Sequence, residues 1–161
     1  MDRLWTPWRY RYISKALPSD GCIFCAKATD DQDRQNYILH RGKLNFILLN
    51  LFPYTNGHLM IAPYQHVATM AETPEATLAE MMQLARRAEA NLRTVYRPDG
   101  FNVGMNIGVS AGAGVADHIH MHVVSRWTGD ANFLSSVGET RVLPEELTAT
   151  YEKLATLRWG A

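Results

Sequence analysis

The sequence predicts an α+β protein: a mainly antiparallel sheet of about five strands, packed with a long central helix and a C-terminal helix. Two observations carry that expectation. Short apolar runs of strand length follow one another through brief turns, as antiparallel neighbours do. One much longer segment, from Thr73 to about Tyr96, repeats its apolar residues at helical spacing instead.

From the N-terminus, WTPWRYRYISKAL allows a short helix beginning at Pro7, where a missing N–H costs nothing. A polar loop, ATDDQDRQN, is expected after Cys22 and Cys25. Tyr37 to Arg41 and Leu44 to Leu51 are apolar runs joined by a Gly-Lys turn, which predicts a hairpin. PYTNG then turns the chain into HLMIAP, a third strand ended by Pro63. Thr73-Pro74-Glu75 predicts a helix start: a capping hydroxyl, proline in the first position and an acid in the first turn. Leu78, Met81, Met82, Ala85, Ala88 and Leu92 form its apolar stripe, and it should stop before RPDG. Phe101 to Ile107 reads as a fourth strand, GVSAGAG as a loop, and His118 to Val124 as a fifth strand. A last helix begins at Pro144 and runs through EELTATYEKLATLRW. The length suits a single domain over 1–161, divided into an extension (1–35), a core (36–143) and a terminal helix (144–161).

Sixteen Lys and Arg balance sixteen Asp and Glu, which argues against nucleic acid or an anionic membrane as partner. A small phosphate-bearing ligand needs only a few local donors and stays open. No run is long enough to span a bilayer, and the first residues lack the apolar core of a signal peptide, so the expected location is cytoplasmic.

DHIHMHVVSRW, from Asp117 to Trp127, holds three of the six histidines at alternate positions. On a strand, His118, His120 and His122 share one face while Ile119, Met121 and Val123 take the other. The apolar set can bury while the imidazoles line a cleft, where they could hold a metal or supply a nucleophile with its proton-handling neighbours. The Gly-rich loop just before them is suited to present backbone N–H groups to phosphate.

HIHMHVV fits the H-φ-H-φ-H-φ-φ signature of the histidine-triad (HIT) superfamily of nucleotide hydrolases and transferases. NLFPYTNGHLMIAPYQHV resembles that family's second and third strands, and FNVGMNIGVSAGAGVADH its fourth strand and phosphate loop. The tail SRWTGDANF resembles the branch containing bacterial diadenosine tetraphosphate phosphorylases, and the likeness runs from about Leu4 to Leu143. The resemblance implies a HIT-like fold whose middle histidine, here His120, attacks the α-phosphate of a nucleotide and forms a covalent nucleotidyl-histidine. His122 and His58 would then hydrogen-bond the phosphate and leaving group, and Asn106 and the amides of Gly112, Gly114 and Val115 would cradle the phosphate. Asn50 matches a ribose-binding position, with a turn-favouring Asn as the plain alternative. Trp127 is either a buried structural Trp or a base-stacking or dimer-contact residue. Relatives often carry Ser or Thr near Gly114; this chain offers backbone there, with Ser110 earlier in the loop.

Cys22 and Cys25 form a C-x-x-C, readable as a redox pair, two free buried thiols or half of a zinc site. Some histidine-triad proteins and the related galactose-1-phosphate uridylyltransferases complete a structural zinc with two histidines. The resemblance places these at His66 and His118, with His40 as a rival ligand; no organic cofactor is implied. The expected function is cleavage of a phosphoanhydride at a nucleotide α-phosphate, by phosphorolysis or hydrolysis, on substrates such as diadenosine tetraphosphate. The alternatives are an adenosine phosphoramidate hydrolase, a non-catalytic nucleotide-binding protein, and a zinc hydrolase using the triad as ligands. A homodimer is the assembly the resemblance implies.

Overall fold

The computed structural model describes residues 21–131, 135, 137 and 145–160. The helix expected at Pro7 lies outside the described residues. The elements are α1 (Ile23–Thr29), α2 (Asp33–Asn36), β1 (Ile38–Arg41), β2 (Asn45–Leu49), β3 (Leu59–Pro63), α3 (Glu75–Tyr96), β4 (Gly100–Met105), β5 (Met121–Arg126) and α4 (Leu147–Ala155). The α+β class and the five-stranded antiparallel sheet are as expected. Strand order is β1-β2-β3-β5-β4, and every neighbouring pair is antiparallel. β5 therefore slots between β3 and β4, bringing residues near 120 beside residues near 60.

Alternation along the strands sorts their side chains onto two faces. Ile47, Leu49, Leu59, Ile61, Met121 and Val123 meet α3 and α4 in the main core, with Met81, Ala88, Leu92 and Leu154. Phe46, Leu48, Met60 and Ala62 point the other way and join Ile38 and Phe24 in a smaller core. β2 and β3 are buried along their whole length, which is why they appear in the sequence as unbroken apolar runs.

The β1–β2 turn is held from outside the hairpin. Glu80 reaches over from α3, and its carboxylate accepts the amides of Lys43, Leu44 and Asn45 and the Asn45 Nδ2 group, each at 2.8 Å. One ionised acceptor thus satisfies four donors that the turn would leave to water.

Several local expectations change. The stretch after the cysteines is not loop throughout: α1 runs to Thr29 and α2 occupies Asp33–Asn36. Asp30 folds the polar residues between them, accepting the Gln32 amide and Asn36 Nδ2 at 2.9 Å each. Thr73 does not cap α3; its hydroxyl donates back to the Thr69 carbonyl at 2.7 Å, and Pro74 occupies the cap position. Met82 is exposed, and Leu84 takes the buried place in the stripe. α4 begins at Leu147, Pro144 lying outside the described residues, and Trp159 folds back so that its indole N–H donates to the Leu154 carbonyl. No helix among the described residues is long and apolar enough to cross a membrane.

Candidate active site and metal cluster

Regular pairing of β5 starts at Met121, opposite Ile61, so His118 and His120 lead into the strand rather than belonging to it. The alternation survives nonetheless. Met121 and Val123 enter the main core, while His118 and His120 both pack against Phe24 on the opposite face.

Backbone partners decide which nitrogen of each ring carries the proton, because a carbonyl only accepts and an amide only donates. His118 lies 2.9 Å from the Pro63 carbonyl through Nε2, so Nε2 holds the proton and Nδ1 is bare. That bare nitrogen stands 3.3 Å from Cys22 Sγ, 3.6 Å from Cys25 Sγ and 3.3 Å from His66 Nδ1. Cys25 Sγ is 3.3 Å from His66 Nδ1, and all four donor atoms lie within 4.8 Å of one another. Donors around a tetrahedral zinc stand about 3.3–3.8 Å apart, given its usual Zn–N and Zn–S bonds. The Cys2His2 set therefore fits a metal ion in type and spacing. His40 is not in this group; it lies on β1, with its Cε1 facing Gly160. Burial, with Cys22 alongside, raises the Cys25 thiol above its ordinary value, so deprotonation there calls for a cation.

His120 has the opposite tautomer. Its Nδ1–H donates to the His118 carbonyl at 2.8 Å, which leaves Nε2 with a lone pair. Burial lowers its pKa, against a smaller opposing effect of that carbonyl, so the ring is neutral near pH 7. His122 meets it edge-on, ring centres 5.0 Å apart.

Behind His122 stands His58, only 1% exposed. The Tyr54 amide donates to His58 Nδ1 at 3.1 Å, and Asn50 Nδ2 approaches the same atom at 3.3 Å. The His58 proton must then sit on Nε2, 2.9 Å from His122 Nδ1. His122 accepts it there and is left with its own N–H on Nε2. Burial and the neighbouring imidazoles push His58 down to about 3, and burial with His120 pushes His122 down to about 4. The rings form a neutral relay: a fixed amide, His58, and His122, which keeps its own N–H on Nε2 and meets the His120 ring edge-on.

The other expected residues are placed as follows. Asn50 is buried, its Oδ1 accepting the Phe52 amide at 3.0 Å. Asn106 is half-buried, one residue past the end of β4. Gly112 adopts φ +87°, and its amide donates to the Val109 carbonyl at 2.9 Å. Among the described residues, the amides of Gly114 and Val115 have no protein acceptor. Trp127 is half-buried just beyond β5, its amide held by Asp130 Oδ2 at 3.1 Å. Sequence reasoning missed the Pro63 and His118 carbonyls, the Tyr54 amide and Phe24. Of these only Phe24 left a signal, an aromatic ring inside the C-x-x-C.

This sheet order, with imidazoles gathered along the β3–β5 seam beside a glycine loop, defines the histidine-triad class. The HIT domain family matches residues 32–129, and the chain belongs to that family as one of its enzymes. An AP-4-A phosphorylase of Mycobacterium tuberculosis (strain CDC 1551 / Oshkosh) is 40% identical over 163 residues, spanning 97% of this chain and 84% of that protein. A Zn-bound histidine triad family protein from Mycobacterium smegmatis matches with a TM-score of 0.69 at 28% identity, over 84% of this chain and 91% of its own. A hypothetical histidine triad nucleotide-binding protein from Sulfolobus tokodaii strain7 gives 0.64 at 27%, over 84% and 87%.

Proposed function

We propose that the protein cleaves a phosphoanhydride at the α-phosphate of a dinucleoside polyphosphate such as diadenosine tetraphosphate, through a covalent nucleotidyl-histidine. The observation that carries this reading is the bare Nε2 of a neutral His120, whose ring meets edge-on that of His122, itself left with its N–H on Nε2. The Nε2 lone pair forms a bond to the α-phosphorus as the bond to the bridging oxygen breaks. The electron pair leaves with that oxygen, whose charge the His122 N–H meets as it develops. Phosphate or water then attacks the phosphorus from the open side, and the N–P bond returns its electrons to Nε2. With diadenosine tetraphosphate the first step releases ATP. The second yields ADP from phosphate or AMP from water.

His58 acts through His122, holding its tautomer. Asn106 and the amides of Gly114 and Val115 serve the phosphates. Trp127 and Asn50 serve the nucleoside; the Asn50 carbonyl oxygen, engaged once by Phe52, keeps a lone pair for a ribose hydroxyl. Cys22, Cys25, His66 and His118 hold a structural zinc, a reading supported by the donor geometry and by the zinc-bound relative. Bound there, zinc would supply a cross-link between α1, the segment after β3 and the approach to β5, its charge balanced by the two thiolates, leaving His120 uncoordinated. The reading extends to a single domain acting as a cytoplasmic homodimer, for which β4, an edge strand with Val103 exposed, offers a pairing edge.

The test is product analysis with diadenosine tetraphosphate, with and without inorganic phosphate, beside His120→Ala. ADP plus ATP formed only with phosphate identifies phosphorolysis, and AMP plus ATP without it identifies hydrolysis. Turnover that survives in His120→Ala would end the covalent reading.

A further inference from the structure

Phe24 lies between the two cysteines, as the second residue of α1. Its side chain is 1% exposed, which rules it out as a surface for a nucleotide. Its ring centre is 4.8 Å from that of His120 and 5.2 Å from that of His118, tilted by 38° and 45°. His120 has one hydrogen bond, at Nδ1, and one bond of that kind leaves the ring free to rock about it. What blocks the rocking is packing, from Phe24 and from the edge-on His122. α1 itself is only seven residues long and has no side-chain cap, so little in the helix alone holds Phe24 down. The smaller core holds it from one side, and the cysteines flanking it anchor the helix, because both reach the same cluster as His118.

Resting on the covalent-histidine reading above, we propose that Phe24 is a positioning residue for the His120 nucleophile, seated by the cysteine pair, so that the metal cluster governs turnover as well as stability. The cluster thus touches the reaction twice without touching substrate. It fixes the ring of His118, whose carbonyl holds the His120 proton, and it fixes the aromatic ring that backs His120.

The test uses the zinc-loaded full chain, labelled with 15N-histidine, as wild type, Phe24→Ala, Phe24→Leu and His120→Ala. Steady-state turnover of diadenosine tetraphosphate, zinc content and the imidazole Nδ1–H resonance of His120 are measured together. Phe24→Ala should keep its zinc, lose about 100-fold in kcat with KM little changed, and lose the slowly exchanging Nδ1–H signal to solvent. Phe24→Leu, which fills the space without a flat ring, should recover part of both and stay clearly short of wild type. Stripping zinc from the wild type should erase the same signal while the far-UV circular dichroism persists. Wild-type kcat with an intact signal in Phe24→Ala overturns the proposal, as does a loss confined to KM. If Phe24→Ala sheds zinc or unfolds, Phe24→Leu decides: a partial fall in kcat with faster proton exchange supports the placement, and wild-type behaviour overturns it. Turnover persisting in His120→Ala would sink the covalent reading while the proton signal still judges Phe24. An inactive His120→Ala beside an unaffected Phe24→Ala sinks the placement alone.

Discussion

His58 donates to His122 only because the Tyr54 amide has taken its other nitrogen, and His122 keeps its N–H on Nε2 only because His58 has taken Nδ1. Removing a link should therefore scramble the tautomers downstream without touching the nucleotide pocket. His58→Ala is expected to lower kcat about 100-fold with a much smaller change in KM, measured by steady-state kinetics beside a 15N spectrum of the His122 ring. A KM effect alone would place His58 against substrate instead. The three imidazoles were legible from their period of two, because alternation is a local property of any strand. Their protonation was not. For His118 it depends on the Pro63 carbonyl, and for His122 on His58, partners brought near only by the pairing of β3 with β5.

Elements succeed or fail in sequence reading according to how far their partners lie along the chain. The hairpin of β1 and β2 was visible, but not that Glu80, more than thirty residues away, ties its turn. Glu80→Ala should destabilise the fold by about 2 kcal/mol in urea unfolding, since charge-assisted acceptors are lost at a turn that water can partly re-solvate. The capping role expected of Thr73 failed because Pro74 stands at the cap position, and the Thr73 side chain turns back to donate to the Thr69 carbonyl instead. Gly57, which leads into His58, has φ +70°, and a Cβ there would stand 2.8 Å from Leu92 Cδ2 and 3.0 Å from Tyr96 Cε2. Gly57→Ala should cost about 2 kcal/mol, from backbone strain and overpacking together, and should lower activity by displacing His58. Unchanged stability would mean that α3 yields more easily than its packing implies.

Across the whole molecule, folding buries His58 and His122 in their neutral forms. Their folded pKa values, about 3 and about 4, lie below the ordinary 6.5, so the unfolded chain binds protons that the folded one refuses. Stability is then full above about pH 6.5, declines as the pH falls through 6 and 5, and the contribution is gone below about 3. Urea titrations at a series of pH values should show this acid slope, and His58→Ala should flatten it. Zinc removal by a strong chelator should lower Tm and loosen the smaller core, where Phe24 packs with Ile38, Phe46 and Leu48. Hydrogen exchange can locate that loosening; protection lost first under α3 and α4 instead would contradict it.

Cys22 and His118 are separated by 96 positions, yet their ligand atoms are neighbours. During synthesis the two cysteines emerge early and wait for a partner that arrives only after four strands have been made. The short stretch that completes the cluster also supplies His120 two residues later. A chain released before residue 118 has neither the full four-ligand cluster nor any histidine of the triad, so cluster and triad are finished together by the same few residues.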